Sequence, residues 1–136
     1  MTRVSPQIRH AVLDRANGRC EYCRRPLRYG ISRFHVDHII PVERHLGSND
    51  IGNLACACIN CNSSKSSDIA SYDADTRLLT PLYHPRLQQW NDHFVLVDGL
   101  ITGITAIGRV TIRILQMNAS QYDIELRQYL VELGLW

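Results

Sequence analysis

Two cysteine pairs constrain this chain more than any other feature. Cys20-x-x-Cys23 and Cys58-x-x-Cys61 form CxxC…CxxC with 34 residues between the pairs. A CxxC turn presents two sulfurs to one ion, and four thiolates satisfy the tetrahedral preference of Zn²⁺. The chain holds five cysteines, an odd number, and it begins MTRVSPQIRHAV, which has no apolar stretch of the signal-peptide kind. Both observations argue against a disulfide framework and for a cytoplasmic setting. Cys20, Cys23, Cys58 and Cys61 are therefore expected to bind one structural Zn²⁺. Cys56 does not fit the x-x spacing and reads as a small buried apolar residue. The gap is longer than that of a plain zinc ribbon and leaves room for a hairpin and a loop.

FHVDHIIP, residues 34–41, lies inside that gap. Three titratable groups in four positions are a poor way to build a core. Asp37 is a hard oxygen donor suited to Mg²⁺, and Asn62, directly after Cys61, offers an amide oxygen on a metal-clamped backbone. Two protein ligands leave most positions of a divalent ion open to phosphate oxygens and water. His38 is a candidate general base, since an ordinary histidine titrates near neutral pH. These parts suit metal-assisted phosphodiester hydrolysis. One geometric conflict remains: on a regular strand Asp37 and His38 point to opposite faces, so a shared site requires the strand to end or bend there. Pro41 marks an end nearby. His35 shares a face with Asp37 and is either an accessory contact or a polar face residue.

The 136 residues suit one domain with a modest core, and no apolar run approaches the length that crosses a bilayer. Residues 5–17 read as a helix capped by Ser5, with Pro6 in its first turn and Gly18 as terminator. RRPLRYG reads as a turn and ISRFHVDHI as a strand, the second arm of a hairpin. PVERHLGSNDIGN reads as a long loop, LACACINCNSSKSSDIA as the second cysteine pair and a short helix, and SYDADTRL as a polar connector. FVLVDGLITGIT reads as a hairpin turning at Asp98-Gly99. Helices follow at about 106–117 and 120–133. Ile107, Val110, Ile114 and Met117 line the first; Ile124, Leu126, Leu130 and Leu133 line the second. The overall expectation is an α+β fold, with a core over residues 1–70 that holds the cysteine frame and a C-terminal extension over 71–136 packed on it as one compact domain.

Charge is unevenly spread. Residues 1–67 carry nine Arg and one Lys against five acids, whereas 68–136 carry five Arg against eight. The positive excess sits in the half with the unusual motif. It falls on arginine, which grips phosphate bidentately. Arg24, Arg25, Arg28, Arg33 and Lys65 are the candidate phosphate contacts, supplying affinity without sequence information. No recognition helix is evident.

CEYC…FHVDHIIP…GSNDIGNLACACINCNSSKS resembles the HNH endonuclease family, in particular short stand-alone bacterial or phage members with a four-cysteine zinc site. The elements that agree are Asp37-His38-Ile39, Asn53-Leu54, Cys58-x-x-Cys61-Asn62 and Lys65, over roughly residues 18–67. The resemblance implies a ββα-metal core. It implies His38 as the base that activates water, and Asp37 and Asn62 as ligands of one catalytic ion. Asn53 would hold the loop and orient the base. Many relatives have His where this chain has Asn62, which makes it an HNN-type variant suited to Mg²⁺ or Mn²⁺, with Ni²⁺ as an alternative. The implied reaction is single-metal hydrolysis of DNA to 5′-phosphate and 3′-hydroxyl ends, by a monomer or homodimer away from any membrane. The alternatives are a catalytically silent zinc module that binds nucleic acid and an RNA-cleaving nuclease of the same fold.

Overall fold

A computed structural model of the protein describes residues 4–27 and 33–136. Helix α1 spans Pro6–Arg15, and the Ser5 hydroxyl accepts the N–H of Ile8 at 3.2 Å as its cap. Asn17 and Gly18, both at positive φ, turn the chain out of the helix. The first cysteine pair follows in a tight knuckle closed by an Arg19–Pro26 bridge.

Strand β1 is Phe34–His38, and it pairs antiparallel with β2, Leu54–Cys58, in a register that sets His38 opposite Leu54 and Phe34 opposite Cys58. This corrects the sequence reading in two ways. The FHVDH strand is the first arm of its hairpin, and LACAC is the second. Every residue of β2 is buried, so it shows none of the in–out alternation that betrays a half-exposed strand. Between the arms, the stretch read as loop holds a short helix α2, Val42–His45, and a 3₁₀ turn at Ile51–Asn53. Helix α3, Ile59–Lys65, leaves β2 at once, with Cys58 as its N-cap. Strand, strand and helix thus form the expected ββα unit, with α1 packed on the same hairpin.

The connector SYDADTRL is also more ordered than its composition suggests. Strands β3 (Ala70–Tyr72) and β4 (Leu79–Pro81) pair across it. Strands β5 (Phe94–Val97) and β6 (Leu100–Gly103) form the hairpin expected at Asp98-Gly99, where both residues have positive φ. Helix α4 is Ala106–Leu115, and Gly108 lies so close to the His93 carbonyl that a Cβ there would sit 2.1 Å from its oxygen. Helix α5 is Gln121–Glu132. Its anchor is not the leucine stripe: Leu133 is exposed, whereas Arg127 is buried and donates to Gly99 O and Asn118 Oδ1, each at 3.1 Å.

One apolar cluster runs through both halves, from Val12, Tyr22 and Leu54 to Phe94, Val110 and Met117. Trp90 Nε1–H donates to Tyr22 O at 2.8 Å, tying the C-terminal part to the cysteine knuckle. The fold is α+β, with small antiparallel strand pairs and short helices.

Candidate functional site

The frame is built first. Cys20, Cys23, Cys58 and Cys61 are all buried, and their sulfurs lie within 4.8 Å of one another. Cys23 Sγ and Cys58 Sγ are 3.7 Å apart. With Zn–S bonds of about 2.3 Å, the edge of a tetrahedral site is about 3.8 Å, so this cluster has the dimensions of a zinc site. Hydrogen bonding to Cys20, then to Cys23 and Cys61, pushes the Cys58 thiol far down. Hydrogen bonding to Cys20 and then Cys58 pushes Cys23 up. Four crowded thiols cannot share negative charge without a cation among them. Cys56 lies outside the cluster, and burial pushes its thiol up to about 12, in keeping with an inert packing residue.

β1 ends at His38, and this removes the geometric conflict between neighbouring side chains. Asp37, His38 and Asn62 line one open cleft of about 610 Å³ with Pro41, Val42 and Ser66. His45 Nε2 is 2.9 Å from Ser67 O and links α2 to the segment after α3 at the cleft's rim.

Asp37 forms the cleft's floor, only 6 % exposed. Its Oδ2 accepts the phenol of Tyr22 at 2.6 Å. Lys65 Nζ lies 3.2 Å from Oδ1 and 3.1 Å from Oδ2. Burial raises the Asp37 pKa, and the charge of Lys65 and the Tyr22 hydrogen bond oppose that rise. Tyr22 is itself pushed well up by burial and by the Asp37 charge, so it stays a donor.

His38 Nε2 is 2.9 Å from Asn49 Oδ1. An amide oxygen only accepts, so Nε2 carries the proton and Nδ1 is the free acceptor. Asn53 does not touch His38. Its Oδ1 accepts from Ile40 N at 2.9 Å, and its Nδ2 donates to Ile40 O and Ser48 O at 2.9 and 2.8 Å. Asn53 thus closes the loop that carries Asn49, and Asn49 contacts the histidine. His35 is half-buried opposite Ala57 and does not line the cleft.

The basic residues are placed differently from the sequence reading. Lys65 was expected to reach phosphate from the helix surface, but it is 1 % exposed and paired with Asp37. Its helix face packs against β1, where a buried carboxylate requires a counter-charge. Arg25 pairs with Asp123 at 3.2 Å, and Arg24 stacks over Trp90 at 4.4 Å. Arg33 is exposed, and Arg28 lies outside the described residues. Two residues that bond to the candidate site, Tyr22 to Asp37 and Asn49 to His38, escaped sequence reasoning. Tyr22 carried a faint signal, an aromatic hydroxyl inside a knuckle that must find a partner once buried. Asn49 carried none.

A buried four-cysteine frame clamping a strand–strand–helix unit, with Asp, His and Asn lining its cleft, is the arrangement that the resemblance to HNH endonucleases implies. The family model for HNH endonuclease matches residues 20–68, which bears out the resemblance over that segment. Among curated proteins, Septu protein PtuB of Bacillus thuringiensis is 23 % identical over 114 residues, covering 83 % of this chain and 42 % of the relative. The chain thus spans less than half of that protein's length. No solved structure matches significantly. Among the described residues, no helix is long and apolar enough to cross a membrane.

Proposed function

We propose that this chain is a metal-dependent endonuclease that hydrolyses DNA phosphodiester bonds. The observation that carries the reading is one cleft lined by Asp37, His38 and Asn62, with His38 fixed by Asn49. Asp37 and Asn62 fit a divalent cation by donor type: one carboxylate and one amide oxygen, with open space for water and phosphate. Mg²⁺ or Mn²⁺ is the expected ion. When bound, it stabilises charge on the phosphoryl and departing oxygens.

The chain's own residues do the rest. Asn49 holds the ring so that Nδ1 takes a proton from the attacking water. Water attacks phosphorus in line with the departing 3′ oxygen, which takes its proton from solvent. The products are a 5′-phosphate and a 3′-hydroxyl. Tyr22 fixes the rotamer of Asp37. Exposed Arg33 contacts the phosphate backbone.

A catalytically silent nucleic-acid-binding module is the rival reading. It draws on one observation: Tyr22 and Lys65 already satisfy Asp37. Purified protein incubated with supercoiled plasmid separates the two. Relaxation or linearisation with Mg²⁺ or Mn²⁺, absent with EDTA and reduced by about a hundredfold or more in His38→Ala, is the expected result. A folded, zinc-loaded protein that retards DNA and RNA but cleaves neither with any ion makes it a binding module. Cleavage of RNA alone moves the substrate, not the mechanism.

A further inference from the structure

A second cleft, of about 570 Å³, opens between the end of α1, the first cysteine knuckle and the loop before β5, and it shares no lining residue with the Asp37–His38–Asn62 cleft. Its wall carries four arginines, Arg15, Arg19, Arg24 and Arg86, against one acid, Glu21. Glu21 is already engaged: it pairs with Arg86 and accepts the Cys56 N–H at 2.8 Å. Arg15 and Arg19 donate to backbone carbonyls, including Ile51 O and Arg24 O, each at 3.0 Å. These acceptors are neutral and leave the cationic charge uncompensated. The Arg24 guanidinium makes no ion pair or hydrogen bond among the described residues and lies over the Trp90 ring. Arg86 Nε is buried with no acceptor, a costly condition for a charged donor.

The electrostatics agree with this geometry. Burial lowers the pKa of Arg15 and Arg24, and burial and then the nearby charge of Arg15 lower Arg86 to about 10. Four positive charges thus share the recess with a single carboxylate, Glu21. The volume falls within the roughly 300–1,000 Å³ range of small-molecule sites. Tyr83 and Trp90 line the recess from its buried side and Trp136 is half-buried at it, which sets one partly accessible ring beside the guanidinium groups, a surface on which a nucleobase stacks. A duplex backbone is met by long, exposed side chains. Arg86 is 18 % exposed and Trp90 6 %, so this recess suits a ligand that enters whole.

We propose that this cleft binds a nucleotide bearing a di- or triphosphate, with its phosphates on Arg24 and Arg86 and its base against Trp136. The site is separate from the one that cuts, and its occupancy does not depend on the nuclease reading.

The chain's two tryptophans both line the cleft, so intrinsic fluorescence reads it directly. The full chain, zinc-loaded, is titrated with ATP, ADP, pyrophosphate, adenosine and a short DNA duplex, with calorimetry alongside. The expected result is saturable fluorescence change with ATP and ADP, and affinity at least about tenfold weaker for adenosine. Arg24→Gln is expected to weaken ATP by about tenfold or more, while Arg77→Gln, exposed and outside both clefts, binds as the unaltered chain does. If Arg24→Gln fails to fold, Arg86→Gln and the adenosine comparison test the same point. The proposal is overturned if ATP, ADP and pyrophosphate give no signal into the millimolar range. It is equally overturned if both arginine variants bind normally, or if duplex DNA alone produces the Arg24-dependent change.

Discussion

Between the two cysteines of the first pair, Tyr22 sends its phenol to Asp37 at 2.6 Å while its carbonyl accepts the Trp90 indole N–H at 2.8 Å. It is fully buried, so neither contact is shared with water. Replacing Tyr22 by Phe keeps the ring and its packing but removes the shorter of the two donors to Asp37 Oδ2, leaving Lys65 Nζ at 3.1 Å. The expected destabilisation is about 1.5–3 kcal/mol, the range for losing a hydrogen bond to a charged group. Zinc content should stay at one per chain by atomic absorption, since no sulfur is disturbed. Mn²⁺ affinity, read by electron paramagnetic resonance, should fall, because the carboxylate is no longer held in one rotamer. Unaltered Mn²⁺ affinity would remove Tyr22 from the site and leave it a packing residue.

At the scale of elements, what could be read in advance depended on how each element meets solvent. Helix α1 announced itself through Ser5 at its start, and α4 and α5 through their spaced apolar residues; in the structure Ser5, Thr105 and Ser120 each accept a backbone N–H three residues on. The β5–β6 hairpin announced itself through Asp98-Gly99. Strand β2 did not, because burial on both faces erases alternation. The β3–β4 hairpin did not, because its stability comes from outside it. Asp73, just after β3, accepts Arg109 Nε and Nη2 from α4 at 3.0 Å each and the Thr76 N–H at 2.9 Å. No local pattern encodes a partner 36 residues away. The Arg109 hydrogen bonds, then the Thr76 N–H, hold the Asp73 carboxyl far below the ordinary range. A depressed folded pKa adds stability that is fully present above the unfolded carboxylate value, about 3.9, and is lost as pH falls below it. Urea unfolding between pH 7 and pH 3 should therefore show a steeper acid decline in the unaltered chain than in Asp73→Asn, which starts less stable at pH 7. Parallel curves would mean that the Arg109 pair contributes nothing to acid sensitivity.

For the molecule as a whole, the cysteine spacing carried the most information, since it gave the zinc frame and the interval into which the hairpin had to fit. The site was legible as residue types, Asp37, His38, Asn53 and Asn62. Their partners, Tyr22, Lys65 and Asn49, come from a different turn, the far end of a helix and an irregular loop, and only folding brings them together. Metal binding at such frames contributes on the order of 10 kcal/mol, comparable to the whole stability of a small domain, roughly 5–15 kcal/mol. Chelation of zinc should therefore abolish the cooperative thermal transition, followed by near-ultraviolet circular dichroism. Cys58→Ala should behave like the chelated protein, and Cys56→Ala should keep its zinc and its transition. Loss of zinc in Cys56→Ala would show that the frame uses a different set of thiols. The position of Tyr22 inside that frame has a further result. An oxidant that strips the ion from the first pair also releases Tyr22, the anchor of Asp37, so the frame and the candidate site are lost together. On the proposed function, a chain wired in this order fails harmless: its first chemical injury disarms it, and no half-damaged form is left able to cut.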